Sequence, residues 1–332
     1  MSEFFDNSAP IIPDERPYSA DEPAFLTETD TGSSNQSLSS SVLNYQYENG
    51  RRYHAYRQGE YFMPNDEREQ ERLDLHHHIC RLAINGALFC APIDPSNARI
   101  LDLGTGTGIW AIEMADEYPN AIVKGTDLSP IQPRWTPPNC FFEVDDFESP
   151  WDFSHRFDFI YARNLAGSVR DFPALYQSII ANLNPGGWVE IVDFAGDWFS
   201  DDDPDMERAP SIRKWARLQQ EASIKFGKEL DIAHLHKRQL IDTGFQDVHE
   251  QVHKIPVNPW PKDPKLKEIG RYQQANVLEG MEAMSLALFT RVLGWSNQEV
   301  QVFFASVRKE LIDRSIHVYA KFYFVYGQKP AE

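Results

Sequence analysis

The chain has 332 residues, 42% of them hydrophobic, and a formal charge of −18 at pH 7. That length accommodates one large α/β domain with appendages or two domains. No apolar run approaches the ~20 residues that span a bilayer, and so acidic a surface disfavours direct binding to nucleic acid. The amino terminus lacks the basic start and apolar core of a secretory peptide. Cys80, Cys90 and Cys140 stand at no zinc-like spacing, which suits small buried hydrophobes in a reducing compartment such as nucleus or cytoplasm.

Residues 1–40 are rich in Ser, Pro, Asp, Glu, Thr and Asn, a composition that predicts a disordered tail. Residues 41–92 are expected to form an N-terminal cap segment, tyrosine- and arginine-dense at first and helical from Asn65 onward. Asn65 or Asp66 can cap that helix, and Leu75, Ile79, Leu82 and Ala83 make one apolar stripe. Residues 93–332 carry the main domain. Strands are predicted at 98–103, 121–128, 139–146, 157–164 and 187–194. Helices are predicted at 108–118 and 173–183, the second stopped by Asn184-Pro185-Gly186-Gly187. Such alternation implies a parallel sheet with helices on both faces. Two further helices (206–227 and 231–242) precede a sixth strand at 245–257, and the last strand, 317–329, alternates as an antiparallel strand does. Between them, residues 258–314 read as a helical lid, with a capping box at Ser296 and Glu299 after Gly294.

The chemistry gathers at "LDLGTGTG", residues 101–108. A parallel sheet binds ligands beyond the carboxyl ends of its strands, so this turn lies at the ligand. Gly104, Gly106 and Gly108 permit a sharp bend and close backbone approach, with Thr105 between the first two. The register from Gly104 puts Ile109 where a dinucleotide fingerprint needs a third small residue. Asp102, just before the loop, would repel a pyrophosphate. A ligand with a cationic end and no phosphate fits better, and S-adenosylmethionine is one. Asp127, followed by Leu128, closes the second strand, where an acid can accept from ribose hydroxyls. Asp145 or Asp146 can accept from the adenine amino group with Phe147 beside the ring. Arg163 and Asn164 end the fourth strand near the sulfonium or the methionine carboxylate.

At this point the chain resembles class I S-adenosylmethionine-dependent methyltransferases, through "LDLGTGTGIWAIE", "GTDLSPIQP", "PNCFFEVDDFESPW", "FDFIYARNL" and "LNPGGWVEIVD". The flanks "ENGRRYHAYRQGEYFMPNDEREQERLDLHHH" and "LGWSNQEVQVFFASVRKELIDRSIHVYAKFYFVYGQKP" are similar to the LaeA-like fungal members, from about Tyr45 to Pro330. The resemblance implies an α/β, Rossmann-like, seven-stranded sheet with a helical N-terminal cap and a helical insertion before the last strand. It implies S-adenosylmethionine as cofactor and a role in regulating secondary metabolism and development. Velvet-type regulators or a related methyltransferase are the implied protein partners. A pathway enzyme that methylates an O, N or C atom of a natural product, and a non-catalytic scaffold, are the alternatives.

Methyl transfer needs a base only if the acceptor carries a proton that must leave, and no catalytic side chain is marked by the sequence. On the substrate side, Tyr53, Tyr56 and Tyr61 can fold over the cofactor as an aromatic cover. Three consecutive histidines on a helix point in different directions, so His76-His77-His78 makes no metal site; one of them, His78 in our assignment, is expected to face the cofactor. The acidic run after the fifth strand, with Asp193, Asp197, Asp201, Asp202, Asp203 and Asp205, is expected at the site mouth, Asp201 and Asp202 guiding a basic acceptor side chain.

Overall fold

A computed structural model describes residues 9–15, 45–54, 56, 57, 59 and 61–332. The chain enters through a hairpin, β1 (Gln46–Glu48) and β2 (Arg51–Tyr53), paired antiparallel. Its turn is Asn49-Gly50, both at positive φ (52° and 78°), the geometry that matches the twist of two-residue hairpins. The cap segment is therefore not purely helical. Helix α1 (Glu67–Ala83) follows, with Asp66 as N-cap accepting from the Glu69 amide. Asp66 also receives the Arg51 guanidinium at 2.6 and 2.9 Å, fastening the hairpin to the helix. Of the predicted stripe, Ile79 and Ala83 are buried and Leu75 and Leu82 pack against them.

Next come β3 (Arg99–Leu103), α2 (Ile109–Glu117), β4 (Ile122–Asp127), β5 (Cys140–Val144), β6 (Phe157–Arg163), α3 (Phe172–Asn182) and β7 (Leu183–Phe194). The Asn184-Pro185-Gly186-Gly187 stretch ends α3 as expected but belongs to β7, whose pairing with β6 shifts register there. A two-residue strand β8 (Phe199–Ser200), α4 (Pro210–Phe226), a 3₁₀ turn (Ala233–Leu235) and α5 (His236–Thr243) lead to β9 (Gln246–Pro256). The insertion holds α6 (Pro264–Arg291) and α7 (Asn297–Ile312), the latter with the Ser296–Glu299 capping box, before β10 (Val318–Gln328).

The sheet order is β5-β4-β3-β6-β7-β10, with β9 on the far side of β10. Strands β3 to β7 run parallel, and β10 is antiparallel to β7, β8 and β9. Strand β8 makes the sheet eight-stranded rather than seven, extending β7's edge along Val318 and Tyr319.

One face is covered by α1 and α2 through Ile79, Ile100, Met114 and Trp110, whose indole stacks on Tyr161 at 3.9 Å. The other is covered by α3 and α5 through Leu101, Tyr176, Ile179 and Leu240. The insertion forms its own apolar cluster with α4, built on Trp215, Met281, Phe289 and Phe304.

Residues 9–15 depart from the expected disorder. Pro13 bridges to Pro261, the Lys262 amide bonds to the Ile12 carbonyl, and Asp14 pairs with Lys267. The rest of that predicted tail lies outside the described residues.

Candidate active site

Where β3, β4 and β6 end, a solvent-connected cleft of about 740 Å³ opens between the glycine turn and α1. Gly104, Gly106 and Gly108 have φ of 65°, 59° and 82°, a left-handed region costly for other residues. Their roles differ. A Cβ on Gly104 would lie 2.9 Å from Leu165. One on Gly106 would meet only Leu73, at 3.6 Å, so its side opens on the cleft. One on Gly108 would strike the Phe142 ring at 2.4 Å. Gly108 does not line the cleft; it seats α2 against β5 and serves packing rather than ligand contact.

Both predicted carboxylates brace this turn. Asp102 accepts from the Thr105 hydroxyl at 2.6 Å, and Asp127 accepts from the Gly106 and Ser129 amides at 2.8 Å each. The Leu128 amide also bonds to Asp127, which is the residue's contribution; its side chain does not line the cleft. Burial raises the Asp102 pKa to about 7, against the opposing pull of Thr105 and Arg163. Burial likewise raises Asp127 to about 6, opposed by its three amide donors. Two buried carboxylates with raised pKa in a cleft favour a cationic guest, which would hold both ionised.

Arg163 and Asn164 line the same cleft. Asn164 sits at φ 58°, a strained conformation for a residue with a Cβ, and meets His76 Nε2 at 3.1 Å. Tyr61 lines the cleft beside Pro64 and Asn65. Tyr53 is buried in the hairpin with Arg291 over its ring, and Tyr56 is not at the cleft, so the aromatic cover reduces to Tyr61.

Other expectations are corrected. Asp145, Asp146 and Phe147 do not line the cleft; Asp146 is engaged by Arg57 at 3.2 Å and Phe147 lies beside Gly104. His78 is exposed on the opposite face of α1, edge-on to Tyr272 at 4.7 Å. Its neighbours His76 and His77 turn inward, because the buried stripe of α1 fixes the helix rotation.

The acidic run is not an open guide. Asp201 is held by Lys254 at 2.8 Å and by the Tyr319 hydroxyl at 2.8 Å, and Asp202 by Arg208 and His317 at 2.7 and 2.8 Å. These partners hold both carboxyls below the usual range against partial burial, Asp202 at about 2. Asp193 is buried with His236 at 3.0 Å. Neither Asp201 nor Asp202 lines the cleft.

The sequence reading missed the α1 wall. Glu69, Leu73 and His76 all line the cleft, and their spacing of four and three residues is one face of a helix. Glu69 is nearly fully buried and bidentate to Arg72 at 2.7 and 2.9 Å, while Arg72 reaches Asn276 of the insertion at 2.8 Å. Among the described residues no cluster of three or more His, Cys, Asp or Glu is gathered as a metal centre, and no helix is long and apolar enough to cross a membrane.

A carboxylate-braced glycine turn at the switch point of such a sheet defines a class I, Rossmann-like methyltransferase. The family model for a methyltransferase domain matches residues 75–250. Methyltransferase pytC of Aspergillus terreus is 45% identical over 305 residues, covering 91% of this chain and 93% of that one. Secondary metabolism regulator LAE1 of Cochliobolus heterostrophus is 41% identical, covering 86% and 95%. Protein-methionine methyltransferase laeA of Emericella nidulans is 39% identical, covering 85% and 76%. Among solved structures, the phosphoethanolamine N-methyltransferase 2 of Haemonchus contortus shares 18% identity at a TM-score of 0.43, covering 78% and 52%. The chain belongs to the methyltransferase-domain family and, within it, to the LaeA-like fungal group.

Proposed function

We propose that this protein is a LaeA-like, S-adenosylmethionine-dependent methyltransferase that acts on a protein side chain in the control of fungal secondary metabolism and development. The observation that carries the reading is the cleft itself. Its Asp127 carboxylate is poised at the end of β4 to take the ribose hydroxyls, and the open side of Gly106 admits a nucleoside against bare backbone. When bound, S-adenosylmethionine supplies an electrophilic methyl on a sulfonium. The chain's own work is to hold that group and exclude water from it, so positioning supplies much of the acceleration.

Among the described residues that line the cleft, each carboxylate and the histidine already holds a hydrogen-bond partner. Glu69 is tied to Arg72, Asp102 to Thr105, Asp127 to backbone amides, and His76 to Asn164. Burial and the nearby Arg163 and Arg72 charges also hold His76 neutral. An acceptor with no proton to lose suits such a site. A thioether is one, and a 39% identical relative is named as a protein-methionine methyltransferase. The bonded acidic run gives no support to a basic acceptor. Velvet-type regulators or a related methyltransferase are the proposed partners, in nucleus and cytoplasm, on the strength of the likeness to regulators of secondary metabolism.

The second reading is a natural-product pathway enzyme, favoured by the 45% identity to pytC. Incubation with methyl-labelled S-adenosylmethionine and host extract, followed by size separation and peptide mapping, divides the two. Label on a protein methionine supports the first reading. Label confined to small metabolites overturns it in favour of the second, and no label in either fraction overturns both.

A further inference from the structure

Arg163 is the one cation among the side chains that line the cleft, and among the described residues no carboxylate lies within ion-pair distance of it. Its Nη1 meets the Nδ1 of His77, from α1, at 2.9 Å. A guanidinium only donates, so Nδ1 is the accepting nitrogen and the imidazole proton sits on Nε2. That Nε2 faces Glu113 of α2 at 2.9 Å, and Glu113 is itself held by Arg81 at 2.6 Å. Donation in the chain Arg81–Glu113–His77–Arg163 therefore converges on the Glu113 carboxylate, from Arg81 on one side and from Arg163 through His77 on the other, and Arg163 itself meets a neutral ring.

The choice of partner matters. A carboxylate in the place of His77 would orient Arg163 equally well and would also cancel its charge. A neutral imidazole takes one N–H and leaves the positive charge undiminished. Burial, with Arg163 and Arg81 nearby, lowers the His77 pKa to about 4, which keeps the ring in that state. Asp102 and Asp74 feel the Arg163 charge only from beyond ion-pair distance, and a buried guanidinium with no anion in direct contact is costly unless one joins it.

We propose that His77, fixed in its tautomer by Glu113, positions Arg163 with its charge intact to seat the carboxylate of the cofactor's amino-acid end. His77 and Glu113 are positioning residues; Arg163 is the binding one. The proposal rests on the S-adenosylmethionine reading above.

The test is titration calorimetry with two probes, S-adenosylhomocysteine and 5′-methylthioadenosine, which lacks the amino-acid end. Arg163→Ala and His77→Ala should each weaken S-adenosylhomocysteine by about 10-fold or more, as expected for a charge-assisted hydrogen bond, and leave 5′-methylthioadenosine unchanged. The double variant should be no weaker than Arg163→Ala alone. His77→Gln, which keeps a neutral acceptor, should recover most of the affinity, and it carries the test if the alanine variant does not fold. Equal losses for both probes, or no loss for either, overturn the positioning role. Wild-type protein that binds neither probe overturns the cofactor reading and this proposal with it.

Discussion

Asp127 spends both carboxylate oxygens on the turn it faces and Asp102 spends one, so both also have a structural role. What separates them from ordinary loop acids is burial at a cleft. Asp127→Asn keeps the shape but has one acceptor oxygen and no charge, so S-adenosylhomocysteine affinity should fall by about 10-fold in calorimetry. Both pKa values are raised, so the ionised forms grow as pH climbs through about 6 and about 7. Affinity for S-adenosylmethionine, with its sulfonium and ammonium, should therefore increase from pH 5.5 to 8. An affinity flat across that range would show that neither carboxylate senses the ligand.

Away from the cleft, Glu190 is fully buried in β7, accepts from the Cys90 and Ala91 amides at 2.7 Å, and leaves Oε1 without a partner. Burial raises its pKa to about 7. For an acid shifted upward, the stabilising contribution is complete below the unfolded value near 4.5 and is lost as pH rises through about 7. Glu190→Gln should flatten the fall in Tm between pH 5 and 8, measured by calorimetric melting. A variant with the wild-type slope would exclude Glu190 as its source.

At the scale of elements, α1 does two jobs. Its Ile79 and Ala83 side fills the core, while Glu69, Leu73 and His76 wall the cleft. Position 66 governs both, because Asp66 caps α1 and neutralises Arg51 of the hairpin. Asp66→Ala removes the cap, worth about 1 kcal/mol, and strands a buried guanidinium, so a total loss of on the order of 2–3 kcal/mol in urea unfolding is expected. The hairpin was legible in principle from Asn49-Gly50, a strong two-residue turn signal. The brevity of its strands, three residues each, hid their periodicity. The strand–helix alternation from β3 to β7 was legible because apolar runs and glycine or asparagine stops agree there.

Over the whole molecule, the insertion and the amino-terminal strap brace the antiparallel edge of the sheet. Residues 9–15 run against Trp260 and Lys262 and donate to Asp201 through the Ile11 amide at 3.1 Å. Truncation of residues 1–15 should lower Tm by a few degrees and leave S-adenosylhomocysteine affinity unchanged, because none of these contacts lines the cleft. A truncated chain that melts as the full one does would show the strap to be energetically idle.

The glycine turn, the acids that end β3 and β4, the antiparallel last strand and the Ser296 cap were set by neighbours within a few positions, and such local patterns survive into any fold that contains them. Which histidine of three enters the cleft, and where the acidic run spends its charge, were decided by partners remote in the chain. His76, which lines the cleft, meets Asn164 across 88 positions, and Asp202 meets His317 across 115. Side-chain direction and charge pairing depend on how whole elements rotate and pack against one another, and that information exists only once the core has closed.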